Sequence, residues 1–352
     1  MKFKFRCLFA LFLFSLTFTL MLMGDDLVVP PFIAGKLSQL VTIFLSVIIQ
    51  ALPFILLGVF GSAFIQRFVS VELVEEILSR TSKLPGILIA IGTGFFFPVC
   101  DCGVFPIVRR LLAKQVPPYM AIAFLITAPL INPLTIWATA TAFGGDLTVI
   151  LSRIWMAILI GVLVSLAVSK TFPTMEHLFH QRALRELETS ASKAEPPTHN
   201  CGYHEHSSSW SSGITEIIDH ACIEFVEVVK YLTVGALLAA TIQTFILKQS
   251  LMLITSNPAF SVLVMMLLAL TLSLCAEADA FVARSLTFHF PLGSVMAFMV
   301  FGQMIDLKNT FLILKSFKLK AFLFIFGLCA LLVFMFCSLF KLLSMFNNLR
   351  RF

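Results

Sequence analysis

Residues Phe97 to Pro133 read FPVCDCGVFPIVRRLLAKQVPPYMAIAFLITAPLINP, and they interrupt a largely apolar chain with proline, glycine, thiols and charge. A similar stretch, AEADAFVARSLTFHFPLGSVMAFMVFGQMIDL, runs from Ala276 to Leu307. One constant register aligns the two stretches without gaps and places Asn132 opposite Asp306. Matching interruptions in two membrane halves are typical of proteins that bind a solute where internal repeats meet. We therefore expect an all-α integral membrane protein, a polytopic helical bundle with two internal repeats.

The composition indicates a membrane protein as well. Hydrophobic residues make up 59% of the 352 residues and charged residues 12%, and the mean hydropathy is +0.98. Soluble domains carry about 25% charged residues, so the expected surroundings of this chain are the lipid bilayer. The net charge of +6 fits basic loops on the cytoplasmic side, and we expect no nucleic-acid partner. The predicted location is the cell inner (plasma) membrane, with several crossings.

The chain divides into four parts. Residues 1–36 are an N-terminal span with a short external loop, and we favour an uncleaved span over a cleaved signal because no small-residue cleavage motif follows it. Residues 37–170 form the first membrane repeat, and residues 214–352 form the second. Between them, residues 171–213 are polar and basic, which predicts a cytoplasmic linker.

Each repeat is expected to contain a hairpin of two short helices, at 85–112 and 257–287. Each hairpin precedes a broken crossing, at 117–142 and 291–314, and a final uninterrupted span, at 147–169 and 320–343. A re-entrant hairpin leaves three full crossings per repeat, an odd number, and the repeats are then inverted. This arrangement places Lys308, Lys315, Lys318 and Lys320 together inside. Lys341, Arg350 and Arg351 would lie outside, against the usual bias, so parallel repeats stay an alternative.

The first break supplies candidate substrate-binding residues. Cys100 and Cys102 flank Asp101, and an extended turn would let both thiols meet one soft ligand such as Cu(I), Zn(II) or a trivalent metalloid. A carboxylate at membrane depth usually faces a pore or a partner, which adds Asp101. The full predicted set is Cys100, Asp101, Cys102, Gly103, Pro106, Asn132 and Asp306. The alternative is that glycine and proline merely form a structural turn here.

The second break carries two acids, Glu277 and Asp279, in an apolar segment. Such acids need a cationic partner, a bound cation or a proton. One hypothesis is a proton relay that couples transport to the proton gradient through both acids. The other is an internal ion pair with Arg110 or Arg284.

The linker contains the sequence HNCGYHEH, with imidazole and thiol groups at His199, Cys201, His204 and His206. This density of nitrogen and sulfur ligands suits a borderline or soft metal, so we predict a metal-sensing or metal-buffering loop. The competing interpretation is a solvated loop without function. We expect no cofactor apart from a metal ion at this linker.

At the two breaks the chain resembles the large family of predicted permeases that includes the ArsP exporters of organoarsenicals. The resemblance rests on CDCGVFP and AFLITAPLINP in the first half and on CAEADAFVARSL and FPLGSVMAFMVFGQMIDLK in the second. It covers most of the chain from about Leu40 to Phe340. What the resemblance implies is an inner-membrane permease, and its best understood subgroup exports trivalent methylated arsenicals, for which Cys100 and Cys102 would be a natural point of contact.

The sequence thus predicts a permease, not an enzyme, that exports a small soft solute, with proton coupling as one way to drive it. One alternative is an intramembrane thiol redox enzyme that uses Cys100 and Cys102. Against it, no histidine or lysine lies close enough in sequence to stabilise a thiolate. Another alternative is a metal-responsive membrane subunit that acts through the linker. No phosphate-binding loop for ATP is apparent.

Overall fold

The structure is a computed structural model that describes residues 31–68, 82–96, 101–181, 210–245 and 258–349. These residues fold almost entirely as helices. Most of the predicted N-terminal span and the part of the linker that contains His199, Cys201, His204 and His206 lie outside the described residues.

The helices follow the order that the interruptions in the sequence predict. In chain order they are α1 (Pro31–Phe68), α2 (Lys83–Phe96), α3 (Asp101–Ala113), α4 (Pro118–Ile131), α5 (Pro133–Ala142), α6 (Leu147–Thr171), α7 (Met175–Leu178), α8 (Trp210–Phe245), α9 (Pro258–Leu272), α10 (Ala276–Leu286), α11 (Leu292–Met304), α12 (Leu307–Ser316) and α13 (Leu319–Leu349).

Within the described part of the chain, five segments are long and apolar enough to cross a membrane. They are Gly35–Gly58 in α1, Pro118–Ala142 in α4 and α5, Leu147–Thr171 in α6, Leu292–Ser316 in α11 and α12, and Leu319–Leu339 in α13. Helix α8 contains a shorter apolar stretch, Val228–Thr244. The protein is therefore a multi-pass, all-α membrane protein.

Helices α2 and α3 form the first hairpin. Two glycines place α2 beside α4, because Gly86 faces Met120 and Gly94 faces Ala128. Residue numbers rise together in these two contacts, so α2 and α4 run in the same direction. Helix α3 must then return to the end where α2 began, before α4 starts at Pro118. With 14 residues, α2 is about 21 Å long, too short for a hydrocarbon core of about 30 Å.

The second half also contains two short helices, α9 and α10. Gly302 in α11 faces Ala269 in α9, and both residues lie near the C-terminal end of their helix, so these two helices are also parallel. Helix α10, which connects them along the chain, must run back to the end where α9 began, and Pro291 precedes the first residue of α11. Both predicted hairpins are therefore present in the fold, each with arms too short to make a full crossing.

The final helices of the two halves, α6 and α13, pack against each other in opposite directions. The ring of Phe172, just after α6, contacts Phe324 near the start of α13. Near the other end of the pair, the Cys337 thiol lies 3.8 Å from the sulfur of Met156. A short antiparallel bridge between Phe179 and Phe317 joins the chain after α7 to the chain after α12. The end of α12 therefore lies at the same end of the bundle as the end of α6.

The halves are also packed across one another. Helix α1 lies against α8, α5 lies against α10, and α3 contacts α12. In each hairpin, the second helix (α3 or α10) thus contacts the second helix of the broken crossing in the other half (α12 or α5). This cross-packing brings the breaks of both halves into the interior of the bundle.

The glycine contact between α2 and α4 provides a test of the fold. A Cβ atom at Gly94 would lie 2.9 Å from the Cα atom of Ala128, whereas a Cβ atom at Gly92 would meet nothing within 4 Å. We expect Gly94→Ala to destabilise the purified protein by about 1–3 kcal/mol, because the two helix backbones must separate. Gly92→Ala removes a glycine from the same helix and should be neutral or stabilising by up to about 1 kcal/mol. Thermal melting in detergent compares the two variants, and equal melting temperatures would contradict the packing.

Candidate functional site

The breaks meet at the side chain of Lys308, in the first turn of α12. Its ammonium lies 2.9 Å from a carboxylate oxygen of Asp101 at the start of α3 and 2.9 Å from one of Asp306. It also donates to the backbone carbonyls of Ser273 (3.0 Å) and Leu274 (3.1 Å), between α9 and α10. Lys308 is only 2% exposed. One buried cation thus connects the first hairpin, the second hairpin and the second broken crossing.

The turn between α9 and α10 is shaped to meet this lysine. Ser273 has a φ of +47°, a left-handed conformation that turns the chain and directs consecutive carbonyls toward the ammonium. The Ser273 hydroxyl accepts a hydrogen bond of 3.1 Å from the backbone N–H of Leu307. On the other side, a Cβ atom at Gly235 would lie 2.6 Å from the Cα atom of Lys308. Glycine in α8 therefore lets α12 approach closely enough for the lysine to reach the turn.

Asn132 and Asp306, which the alignment of the two interrupted stretches pairs, have the same structural role. The Asp306 side chain caps α12 by accepting from the N–H of Asn309 at 2.7 Å, and the Asn132 side chain caps α5 by accepting from the N–H of Thr135 at 2.7 Å. Both residues are fully buried. A capping side chain satisfies amide groups that a broken helix exposes, which explains why polar residues occur at these depths. Asp306 additionally neutralises Lys308.

A second buried ion pair connects the halves at Asp279. Its carboxylate accepts two hydrogen bonds from Arg153 of α6, at 3.0 and 3.1 Å, and one of 2.8 Å from the Gln303 amide. Arg153 also donates to the Thr139 hydroxyl at 2.8 Å. Both bonds to Asp279 come from the Nη2 nitrogen of Arg153, while Nη1 bonds Thr139, so the guanidinium ties α10 and α5 to α6.

The second break also contains a thiol and an acid that lacks a well-formed hydrogen bond. The Cys275 thiol is half-buried and donates to the side-chain carbonyl of Gln50 in α1, at 3.2 Å. Two residues later, both carboxylate oxygens of Glu277 are buried and have no partner within hydrogen-bond distance and angle in the described structure. Glu277 interacts electrostatically with Asp101 and Lys308. Cys275 and Glu277 therefore belong to the same polar centre as the lysine.

The other predicted site residues fall in different places. Cys100 lies outside the described residues, as do His199, Cys201, His204 and His206, and Cys102 is described only as part of α3. Gly103 packs against Gly58, with backbone so close that a Cβ atom at Gly58 would overlap its carbonyl. Pro106 is buried within α3. No group of three metal-binding side chains is preformed in the part of the chain that the structure describes.

Two expectations from the sequence are wrong. The ion-pair partner of Asp279 is Arg153, not Arg110 or Arg284. The span at 147–169, expected to be uninterrupted, thus carries the buried arginine of the site. Lys308 is buried between the breaks instead of lying with Lys315, Lys318 and Lys320, because the break at Asp306 starts a new helix whose first turn points inward. In the sequence, Arg153 and Lys308 each stand as a single ionisable residue within an apolar crossing. That feature alone could have marked them as residues of a buried polar site.

The chain is similar in sequence to proteins of one known family. A family profile described as predicted permease, of the ArsP type, matches residues 36–342. The chain belongs to this family of predicted permeases. A Streptococcus mutans protein named "Putative two-component membrane permease complex subunit" is 38% identical over 304 residues, which cover 86% of this chain and 95% of that protein. The protein YcgR of Bacillus subtilis is 39% identical over 287 residues, 82% of this chain and 91% of its own length. No solved structure matches the chain.

Membership of this permease family agrees with the fold. It indicates a transporter rather than an enzyme. The matched residues extend over both hairpins and both broken crossings, so Lys308, Arg153 and their partners all lie within the family's common region.

The Arg153–Asp279 pair predicts a pattern of stability among variants. Arg153→Met strands a buried carboxylate, and we expect a loss of about 3–5 kcal/mol. Asp279→Leu strands the arginine at similar cost. The double variant removes both charges and should recover at least half of the loss of either single variant.

The matched control is Arg284→Met. Arg284 is exposed and contacts the rings of Phe143 and Phe288, so its removal should cost less than about 1 kcal/mol. Melting temperatures of the four purified variants in detergent measure these differences. If the two single losses simply add in the double variant, the residues are not paired.

Proposed function

We propose that this chain is a permease that carries a small, sulfur-binding solute, a metalloid or soft metal species, outward through the place where the breaks meet. The observation that carries the proposal is the group around Lys308, where one ammonium contacts both hairpins and the second broken crossing. Broken helices leave backbone dipoles and polar side chains directed into the gap, which is where transporters bind their solutes. The half-buried Cys275 thiol at the same place supplies a soft ligand.

We further propose that the two halves are inverted repeats. The succession of helices is the same in each half, from the long α1 and α8 through a hairpin and a broken crossing to α6 and α13. The antiparallel contact of α6 with α13 supports opposite insertion in the bilayer, because these helices occupy equivalent positions in the two halves. Rocking of one half against the other would then open the centre to either side in turn.

The name of the Streptococcus mutans relative describes a subunit of a two-component complex. We propose that this chain likewise acts with a second subunit. A transport experiment is therefore best done in cells of the source organism, where such a subunit is present.

The experiment compares a deletion strain with the same strain carrying the wild-type chain or Cys275→Ser. Cells are exposed to trivalent arsenicals, antimonials and soft metals, and the accumulated amount is measured. We expect the wild-type chain to lower accumulation of at least one sulfur-binding solute. Cys275→Ser should raise it toward the level of the deletion strain, because an alcohol is a poor ligand for soft elements.

The matched control is Cys329→Ala, which removes a thiol from the core of α13. It should export as the wild type does at equal expression. If the wild-type chain changes the accumulation of no sulfur-binding solute, the proposed substrate class is wrong.

A further inference from the structure

The chain returns to the bundle directly after α6. Residues 172–180, which we call the strap, contain the single turn of α7 and end in extended backbone at Phe179. Leu178 and Phe179 are buried, with exposed fractions of 0% and 2%, whereas Glu176 and His180 beside them are exposed. Two large apolar side chains buried from such a short, otherwise polar segment indicate that the strap is attached at a particular place.

The place of attachment is the turn between α12 and α13. Two backbone hydrogen bonds hold the strap there, from the Lys318 N–H to the Leu178 carbonyl at 2.9 Å and from the His180 N–H to the Ser316 carbonyl at 3.0 Å. Between these bonds, the rings of Phe179 and Phe317 pack with their centres 4.5 Å apart. The strap thus adds a short antiparallel pairing to a turn of the second half.

Helices α3 and α12 lead from the centre of the bundle to this turn. They begin where Asp101 and Lys308 form their ion pair, and their other ends meet beside the strap. At 1.5 Å per residue, Asp101 and Leu112 are about 17 Å apart along α3. A narrow crevice lies between the ends of the two helices, and its lining includes Val108, Leu112, Phe179 and Phe317. Phe179 therefore closes the crevice at the end that lies away from the centre.

The equivalent place in the other half is closed differently. The register that pairs Asn132 with Asp306 also pairs Phe143, which follows α5, with Phe317, which follows α12. The guanidinium carbon of Arg284, in α10, lies 5.8 Å from the centre of the Phe143 ring. Residues of the two halves thus meet each other at Phe143, whereas the ring that covers Phe317 comes from the strap. The closure at Phe317 can therefore be withdrawn without displacement of a membrane helix.

We propose that the strap is a gate, which closes the path between α3 and α12 toward the linker and detaches to admit the solute. This inference rests on the proposed function and adds to it the end at which the permease is loaded. The attachment suits a reversible closure, because it consists of a short backbone pairing and two buried side chains of a segment with one helical turn. Segments with few buried contacts open locally while the rest of a protein stays folded.

The first test measures the opening of the crevice and needs no solute. Val108→Cys places a thiol in the crevice that Phe179 closes. Membranes from cells that produce the full-length chain are treated with N-ethylmaleimide, and the rate of reaction at residue 108 is read by mass spectrometry. We expect slow reaction in the otherwise wild-type chain. Phe179→Ala removes the closing ring and should raise the rate by at least about tenfold, because the open form becomes more populated.

Three controls accompany this measurement. Phe179→Met keeps a large apolar side chain in the crevice, and the rate at Val108→Cys should stay close to that of the wild-type strap. Phe288→Ala removes an exposed ring next to Arg284, at the other closure, and should leave the rate unchanged. Val300→Cys places a thiol in the core of α11, where residue 300 is 0% exposed, and should stay unreactive in Phe179→Ala if that variant is folded.

The second test locks the strap in place. His180→Cys and Ser316→Cys are combined, because the backbones of these residues are joined by a hydrogen bond and a disulfide there ties the strap to the turn. Inverted membrane vesicles from the source organism are given phenylarsenite or Zn(II) as probes, and uptake is measured before oxidation, after oxidation and after reduction with a phosphine. Oxidation should lower uptake to the level of a deletion strain, and reduction should restore it. His180→Cys alone, oxidised in the same way, should transport as before.

The outcomes separate this inference from the proposed function. An unchanged rate at Val108→Cys in folded Phe179→Ala, or full uptake by vesicles with the oxidised pair, would overturn the gate. If Val300→Cys reacts in Phe179→Ala, that variant has unfolded and the disulfide test decides. If wild-type vesicles take up neither probe, the proposed function fails, whereas the rate at Val108→Cys still decides whether the strap opens.

Discussion

The contact between Lys308 and its four oxygen partners is the constraint on which the rest of the structure depends. A buried ammonium costs several kcal/mol unless nearby acceptors compensate for lost water. The compensation comes from Asp101, Asp306 and the carbonyls of Ser273 and Leu274, which belong to three separate segments. These segments meet only if both hairpins stop half-way through the bundle. The short helices end there, the glycine contacts let the backbones approach closely, and the polar caps satisfy the exposed helix ends.

Arg153 and Asp279 form a second link between the halves with a different character. Arg153 donates two hydrogen bonds to Asp279, and Gln303 adds a third. This pair fixes α10 to α6, whereas the lysine group leaves carboxylate oxygens without donors. One link therefore pairs one cation with one acid, whereas in the other a single cation is shared by two acids.

The sequence predicts the helices and the hairpins well, since proline, glycine and basic residues mark where each apolar run stops. The alignment of the two interrupted stretches also identifies Asn132 and Asp306 as equivalent, and both are helix caps. Arg153 and Lys308 could not be assigned in the same way. Asp279 and Asp101, their partners, belong to the opposite half of the chain in each case, and which charges meet depends on how the halves pack. Separation along the chain holds no information on that packing.

We propose that the two halves enter the membrane from opposite sides, and this is the central claim to be tested. Gln115, between α3 and α4, and His289, between α10 and α11, occupy equivalent exposed turns. The most direct measurement introduces a cysteine at each position in turn and treats intact cells and inverted membrane vesicles with a membrane-impermeant maleimide, with labelling at that residue read by mass spectrometry. The account predicts that Gln115→Cys and His289→Cys are labelled from opposite sides. Labelling of both from the same side would contradict it.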